Sequence, residues 1–155
     1  MIKQSAPQFV SRTMPQCTIM PVLVYPDLAN AITWFTNVLG FKERWRVGNH
    51  RAQLSFGEDV IAISGMTITP KKNIPPTAGF KSHSLLVRVT DVGEHYEHAL
   101  KNGATIVHEP ADFPYGEKQY TVMDIGGHVW TFSQSISDLA PEDWGGTTAI
   151  QPDIQ

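Results

Sequence analysis

Apolar residues return at helical spacing twice along this chain. Each time a strand precedes the stripe and three strands follow it. In the first half Leu28, Ala31, Ile32, Phe35, Val38 and Leu39 form one stripe between Asp27, a candidate N-cap, and Gly40, placed just past a helix end. Residues 18–25 (TIMPVLVY) read as the strand before it, with Pro21 suggesting an edge position or a bulge. Residues 41–47, 51–56 and 60–64 read as three short strands joined by turns at Gly48-Asn49 and residues 57–59. In the second half residues 82–90 are a strand, and Asp91 caps a helix with Glu94 at capping-box spacing. Val92, Tyr96, Ala99 and Leu100 form that helix's stripe, Gly103 ends it, and residues 105–108, 118–123 and 129–133 are three more strands. Asp27 and Asp91 stand 64 positions apart, as do the segments around them, LVYPDL and VRVTDV. The order strand, helix, three strands is therefore duplicated.

The last hairpin, GEKQYTVMDIGGHVWTFSQ at 116–134, lets faces be assigned. A four-residue loop over Asp124-Ile-Gly-Gly127 predicts Met123 opposite His128, Val122 opposite Val129, Thr121 opposite Trp130 and Tyr120 opposite Thr131. Tyr120, Val122, Val129 and Thr131 then share one face, and Thr121, Trp130 and Phe132 the other. Elsewhere Leu23 and Tyr25 alternate with Met20, Val22 and Val24, and Leu85, Val87 and Val89 alternate with Ser84, Leu86 and Arg88. The more uniformly apolar set belongs against each helix, and the mixed set is left for a concave, pocket-forming face that includes Tyr120 and Thr131. The expected fold is α+β: two tandem βαβββ modules forming a cup-shaped, curved mixed sheet with the helices packed on its outer face. The expected domains are an N-terminal arm (1–17), a first module (18–66), a linker (67–81), a second module (82–136) and a C-terminal tail (137–155).

Composition narrows the partners. The chain's 155 residues suffice for one well-buried domain or two small modules, and 41% hydrophobic with 17% charged residues is ordinary for a soluble protein. A formal charge of −3 gives no basic footprint, so nucleic acid is not an expected partner. No run is long and apolar enough to span a bilayer, and residues 1–16 do not read as a signal peptide. One cysteine, Cys17, excludes an internal disulfide framework and makes a cytoplasmic location the default.

The segments Val24-Tyr-Pro-Asp-Leu28, Trp34-Phe-Thr-Asn-Val-Leu-Gly-Phe41, Val89-Thr-Asp-Val92 with Gly103-Ala104, and Tyr115-Gly116 with Asp124-Ile-Gly-Gly-His128-Val-Trp-Thr-Phe132 together resemble the vicinal oxygen chelate superfamily. This is the group of glyoxalases, bleomycin resistance proteins and extradiol dioxygenases, and the ending GHVWTFSQ looks most like its PhnB-like or glyoxalase-like uncharacterised branch. The resemblance covers roughly residues 18–136 and implies paired βαβββ modules forming a cup, usually within a dimer. Many members hold a divalent metal through one side chain from each of four strands. By motif those places fall here at Met20, Ala62, Ser84 and Thr131. A thioether, a methyl and two neutral hydroxyls are poor ligands for hard divalent ions, so an intact family metal site and a metal cofactor are not expected.

Other candidates weaken against simpler readings. His95 and His98, beside Glu94 and Glu97, read as a solvated polar helix face. His108 and His128 lie at a strand end and after a turn. Cys17 has no activator nearby, and no nucleophile-elbow or phosphate-cradling glycine motif occurs. Trp45, between Arg44 and Arg46, and Tyr115, in a proline-containing loop, are candidate stacking groups for a ligand. The expectation is a metal-free small-molecule-binding homodimer, holding a small hydrophobic or aromatic ligand in the cup with Met20, Trp45, Gln53, Ala62, Ser84, Tyr115, Tyr120 and Thr131. The alternatives are a glyoxalase-like lyase, isomerase or dioxygenase using a divalent metal, and a non-catalytic structural or regulatory dimer module.

Overall fold

The computed structural model describes residues 15–66 and 83–148. Most of the expected arm, the linker and the end of the tail lie outside those residues. The chain divides into two compact units, Met1–Pro75 and Pro76–Gln155. Among the described residues eight strands form two four-stranded mixed sheets, one in each unit.

In the first unit Asp27 Oδ1 accepts from the Asn30 N–H at 3.0 Å, meeting one of the unpaired donors at the start of α1 (Leu28–Trp34). The helix then widens into a π turn over Phe35–Leu39 and stops at Gly40, whose φ of 77° is left-handed. All six residues of the expected stripe are buried. Strands β1 (Val22–Tyr25), β2 (Lys42–Val47), β3 (Arg51–Phe56) and β4 (Asp59–Gly65) are ordered β1-β4-β3-β2, with β1 and β4 parallel and the other neighbours antiparallel. Register aligns Leu23, Ile63 and Ala52 on the helix side. Phe35 seals that side, meeting Tyr25 and Phe41 edge-on at centroid distances of 5.7 and 5.0 Å. A bulge between Glu43 and Trp45 interrupts β2.

The second unit repeats the plan with β5 (Leu85–Arg88), α2 (Val92–Lys101), β6 (Thr105–Phe113), β7 (Glu117–Met123) and β8 (Val129–Ser135), ordered β5-β8-β7-β6. Asp91 Oδ1 caps α2 at the Glu94 N–H, 2.9 Å away. Strand β6 runs well past the four residues expected and is bulged on either side of His108.

Two expectations about this unit are corrected. Leu100 is largely exposed, and His95 takes its place on the inward face: its ring lies 4.2 Å from that of Phe132, and Nδ1 is 2.6 Å from the Tyr120 hydroxyl. Imidazole offers a flat face for stacking and a nitrogen for the phenol, so a polar residue completes the Val92, Tyr96, Ala99 stripe. The β7–β8 register also differs by one residue. Met123 pairs with Val129, Thr121 with Thr131 and Tyr120 with Phe132. The loop holds five residues, not four, because the Asp124 carboxylate organises it. Oδ1 accepts from the Gly126 and His128 N–H groups, both at 2.9 Å, and Oδ2 accepts from the Trp130 indole at 2.9 Å. Gly127 supplies the left-handed turn at φ 88°.

Candidate functional site

The faces turned away from the two helices carry the candidate chemistry, and the two sheets present equivalent rungs. In the first, Val22, Ala62, Gln53 and Trp45 lie abreast across β1, β4, β3 and β2. In the second, Leu86, Thr131 and Thr121 lie abreast across β5, β8 and β7. Ala62 and Thr131 thus occupy the same place in their modules. Met20 and Ser84 each stand two residues before the β1 or β5 member of the rung, on the same side by strand alternation.

In the first unit Met20, Gln53, Ala62 and Trp45 come together. The Gln53 side chain is spent at both ends: Oε1 accepts from Arg44 Nη1, and Nε2 donates to Met20 Sδ at 3.6 Å. Ala62 is fully buried. Trp45 Nε1 is enclosed and donates to nothing among the described residues. An enclosed donor without an acceptor is costly, and it is uncommon in folded proteins.

In the second unit Thr131 Oγ1 lies 3.0 Å from Thr121 Oγ1, and Ser84 is exposed beside β5. Tyr120 does not join them. The corrected register turns it toward α2, where it is fully buried against Phe132 and His95. Thr121 occupies the place beside Thr131 expected for Tyr120, because a five-residue loop shifts every residue of β7 to the opposite face. Burial pushes the Tyr120 phenol well above the ordinary tyrosine range. The folded chain therefore keeps that proton to higher pH than the unfolded chain. The resulting stability is complete below about pH 10 and is lost as pH rises above it. A late phenolate step in spectrophotometric titration is expected, accompanied by a falling urea midpoint, and Tyr120→Phe should remove both.

Tyr115 sits apart from these rungs, in the turn between β6 and β7. Its ring stacks on Phe113 at 5.4 Å and meets Trp144 edge-on at 5.8 Å, so the tail tryptophan does touch its own unit. Its hydroxyl donates to Gln119 Oε1 at 3.0 Å. Beside it opens a cavity of about 440 Å³ lined by Arg88, Tyr115, Glu117 and residues 135–139. Composition and motif gave no sign of this cavity. Its wall depends on Gly116, whose carbonyl accepts from the Ile136 and Ser137 N–H groups at 2.8 and 3.2 Å. At φ 84°, an added Cβ there would stand 2.5 Å from the Ser137 carbonyl oxygen.

The four positions where the superfamily places a metal do not fit one. Met20 Sδ accepts from an amide, Ala62 has no donor atom, and Thr131 Oγ1 is shared with Thr121. No cluster of three or more His, Cys, Asp or Glu suited to a metal ion occurs among the described residues. No helix among them is long and apolar enough to cross a membrane.

Comparison with known proteins places these features. The sequence model of the Glyoxalase/Bleomycin resistance protein/Dioxygenase superfamily matches residues 15–132. An uncharacterized protein of Mycobacterium bovis is 26% identical over 145 residues, covering 87% of this chain and 94% of the relative. The crystal structure of TioX from Micromonospora sp. ML1 superposes with a TM-score of 0.62 at 31% identity, over 76% of this chain and 98% of that one. A glyoxalase/bleomycin resistance protein/dioxygenase from Nocardioides superposes with a TM-score of 0.60 at 20% identity, over 90% of this chain and 92% of that one, a likeness of fold.

Proposed function

This chain belongs to the Glyoxalase/Bleomycin resistance protein/Dioxygenase superfamily, and we propose that it is a metal-independent member that binds a small apolar or aromatic molecule on the helix-distal side of its sheets. The observation that carries the reading is the rung Ala62–Gln53–Trp45 with Met20 beside it. It offers a methyl, a thioether, an amide already engaged at both ends, and one enclosed indole N–H still without an acceptor. Such a surface rewards burial of apolar ligand area and provides one donor for orientation. A methyl, a thioether and an engaged amide offer a hard divalent ion no good ligand at the place where the metal-dependent members act.

Thermal unfolding of untagged full-length protein against a panel of aromatic ligands tests this, together with elemental analysis. Saturation at about a hundred times Kd is expected to add about 2.7 kcal/mol, which raises Tm by several degrees and is unaffected by EDTA. Trp45→Phe should weaken ligands that bear an acceptor about tenfold, the loss of one hydrogen bond. Stoichiometric metal in the purified protein, or loss of stabilisation in EDTA, would overturn the reading. So would a panel without a single shift.

A further inference from the structure

The cavity beside Tyr115 is unrelated to the four family positions, and its chemistry is different. Arg88, Ser133, Gln119, Glu117 and Ser135 share the helix-distal face of the second sheet, by the pairings Arg88–Ser133–Gln119 and Glu117–Ser135. A chain of hydrogen bonds fixes them. Tyr115 donates to Gln119 Oε1, Gln119 Nε2 donates to Ser133 Oγ at 3.1 Å, and Ser133 Oγ donates to Glu117 Oε2 at 2.8 Å. Ser135 Oγ donates to Glu117 Oε1 at 3.0 Å. Both carboxylate oxygens are thus held by hydroxyls, and no cation pairs with Glu117 among the described residues.

Across the cavity Arg88 is exposed and makes no ion pair among the described residues. It lies on β5 and Glu117 on β7, with β8 between them and a two-residue offset along the strands. Two strand spacings and that offset put their Cα atoms roughly 12 Å apart. Opposite charges therefore face one cavity without meeting. Two serine hydroxyls fix the position of the Glu117 carboxylate and leave each oxygen a further lone pair, while Arg88 keeps its planar fork of donors free. Ile136 and Leu139, both substantially exposed, complete the wall with apolar surface.

We propose that this cavity is a binding site for a small zwitterion of the α-amino acid class. Arg88 receives the carboxylate through a forked pair of N–H donors, and Glu117 receives the ammonium beside the Tyr115 ring. Ile136 and Leu139 take an aliphatic side chain. Two charge-assisted contacts in one open surface cleft select a molecule carrying both charges over one carrying either. The cavity volume lies within the range of small-molecule sites. This site stands independently of the metal-independent reading above, because it shares none of that reading's rung residues.

Isothermal titration of the full chain with three probes tests the proposal: L-leucine, L-leucinamide, which lacks the carboxylate, and 4-methylpentanoate, which lacks the ammonium. L-Leucine is expected to bind at least tenfold more tightly than either analogue. Arg88→Gln and Glu117→Gln should each weaken L-leucine at least tenfold. Arg88→Gln should leave leucinamide binding unchanged, and Glu117→Gln should leave 4-methylpentanoate binding unchanged. Glu117→Gln keeps side-chain length and removes only the charge, Arg88→Gln shortens the side chain and removes the charged fork, and circular dichroism checks that each variant is folded. Equal affinity for the three probes would overturn the proposal. Absence of saturable L-leucine binding at millimolar concentration would do the same.

Discussion

Replacing Asp124 with alanine is expected to cost about 3–4 kcal/mol, read as a lowered urea midpoint with an unchanged slope. The carboxylate is buried and serves two backbone N–H groups and the Trp130 indole at once. Truncation leaves all three donors without that acceptor, two of them on fully buried or nearly buried residues. Each loss is worth about 1–3 kcal/mol, and the sum is smaller than the parts because the loop relaxes together. Asp124→Asn should cost less, since the side-chain carbonyl still accepts the loop amides while the amide nitrogen cannot accept from Trp130. If the alanine variant unfolded within about 0.5 kcal/mol of the parent, the carboxylate would not be what holds the hairpin in register.

A loss of about 4 kcal/mol is expected for Phe35→Ala, lowering Tm by roughly 10 °C for a chain of this size. Phe35 is fully buried where the α-helix passes into its π turn, and its ring meets Tyr25, Trp34 and Phe41 edge-on. Its carbonyl also accepts from the Phe41 N–H at 3.1 Å, which ties the helix end to the start of β2. Alanine keeps that backbone bond and opens a void among three rings that cannot all move inward. Phe35→Leu should cost less than half as much, because most of the volume is retained. A chemical denaturation series over the two variants separates the cavity effect from any loss of helix.

The first helical stripe, the caps at Asp27 and Asp91 and the repeated order strand, helix, three strands were legible in the sequence, because periodicity and capping are local. Every residue of the first stripe is buried as expected. What escaped was set by side chains acting at a distance. Gly126-Gly127 signals a tight turn, but nothing local says that Asp124 will reach forward to the His128 amide and the Trp130 indole and lengthen the loop by one residue. That single residue moved Tyr120 from the expected binding face to the core. His95 escaped for a related reason: a polar residue inside a stripe is recognised only when its partner, Tyr120, is known to lie beneath it. The cavity at Arg88 and Glu117 joins residues 88, 115, 117 and 135–139, which are separated in sequence and adjacent only through strand order.

The bulges in β2 and β6 reach beyond the fold itself. Each strand closes one side of its sheet, and each breaks the regular run of outward N–H and C=O groups on which a foreign strand would template. Glu43, Arg44 and Arg46 add charge along one of these borders, and Pro110 removes a donor from the other. At these two borders a chain so rich in β-structure discourages open-ended strand addition, and with it the first step toward aggregation.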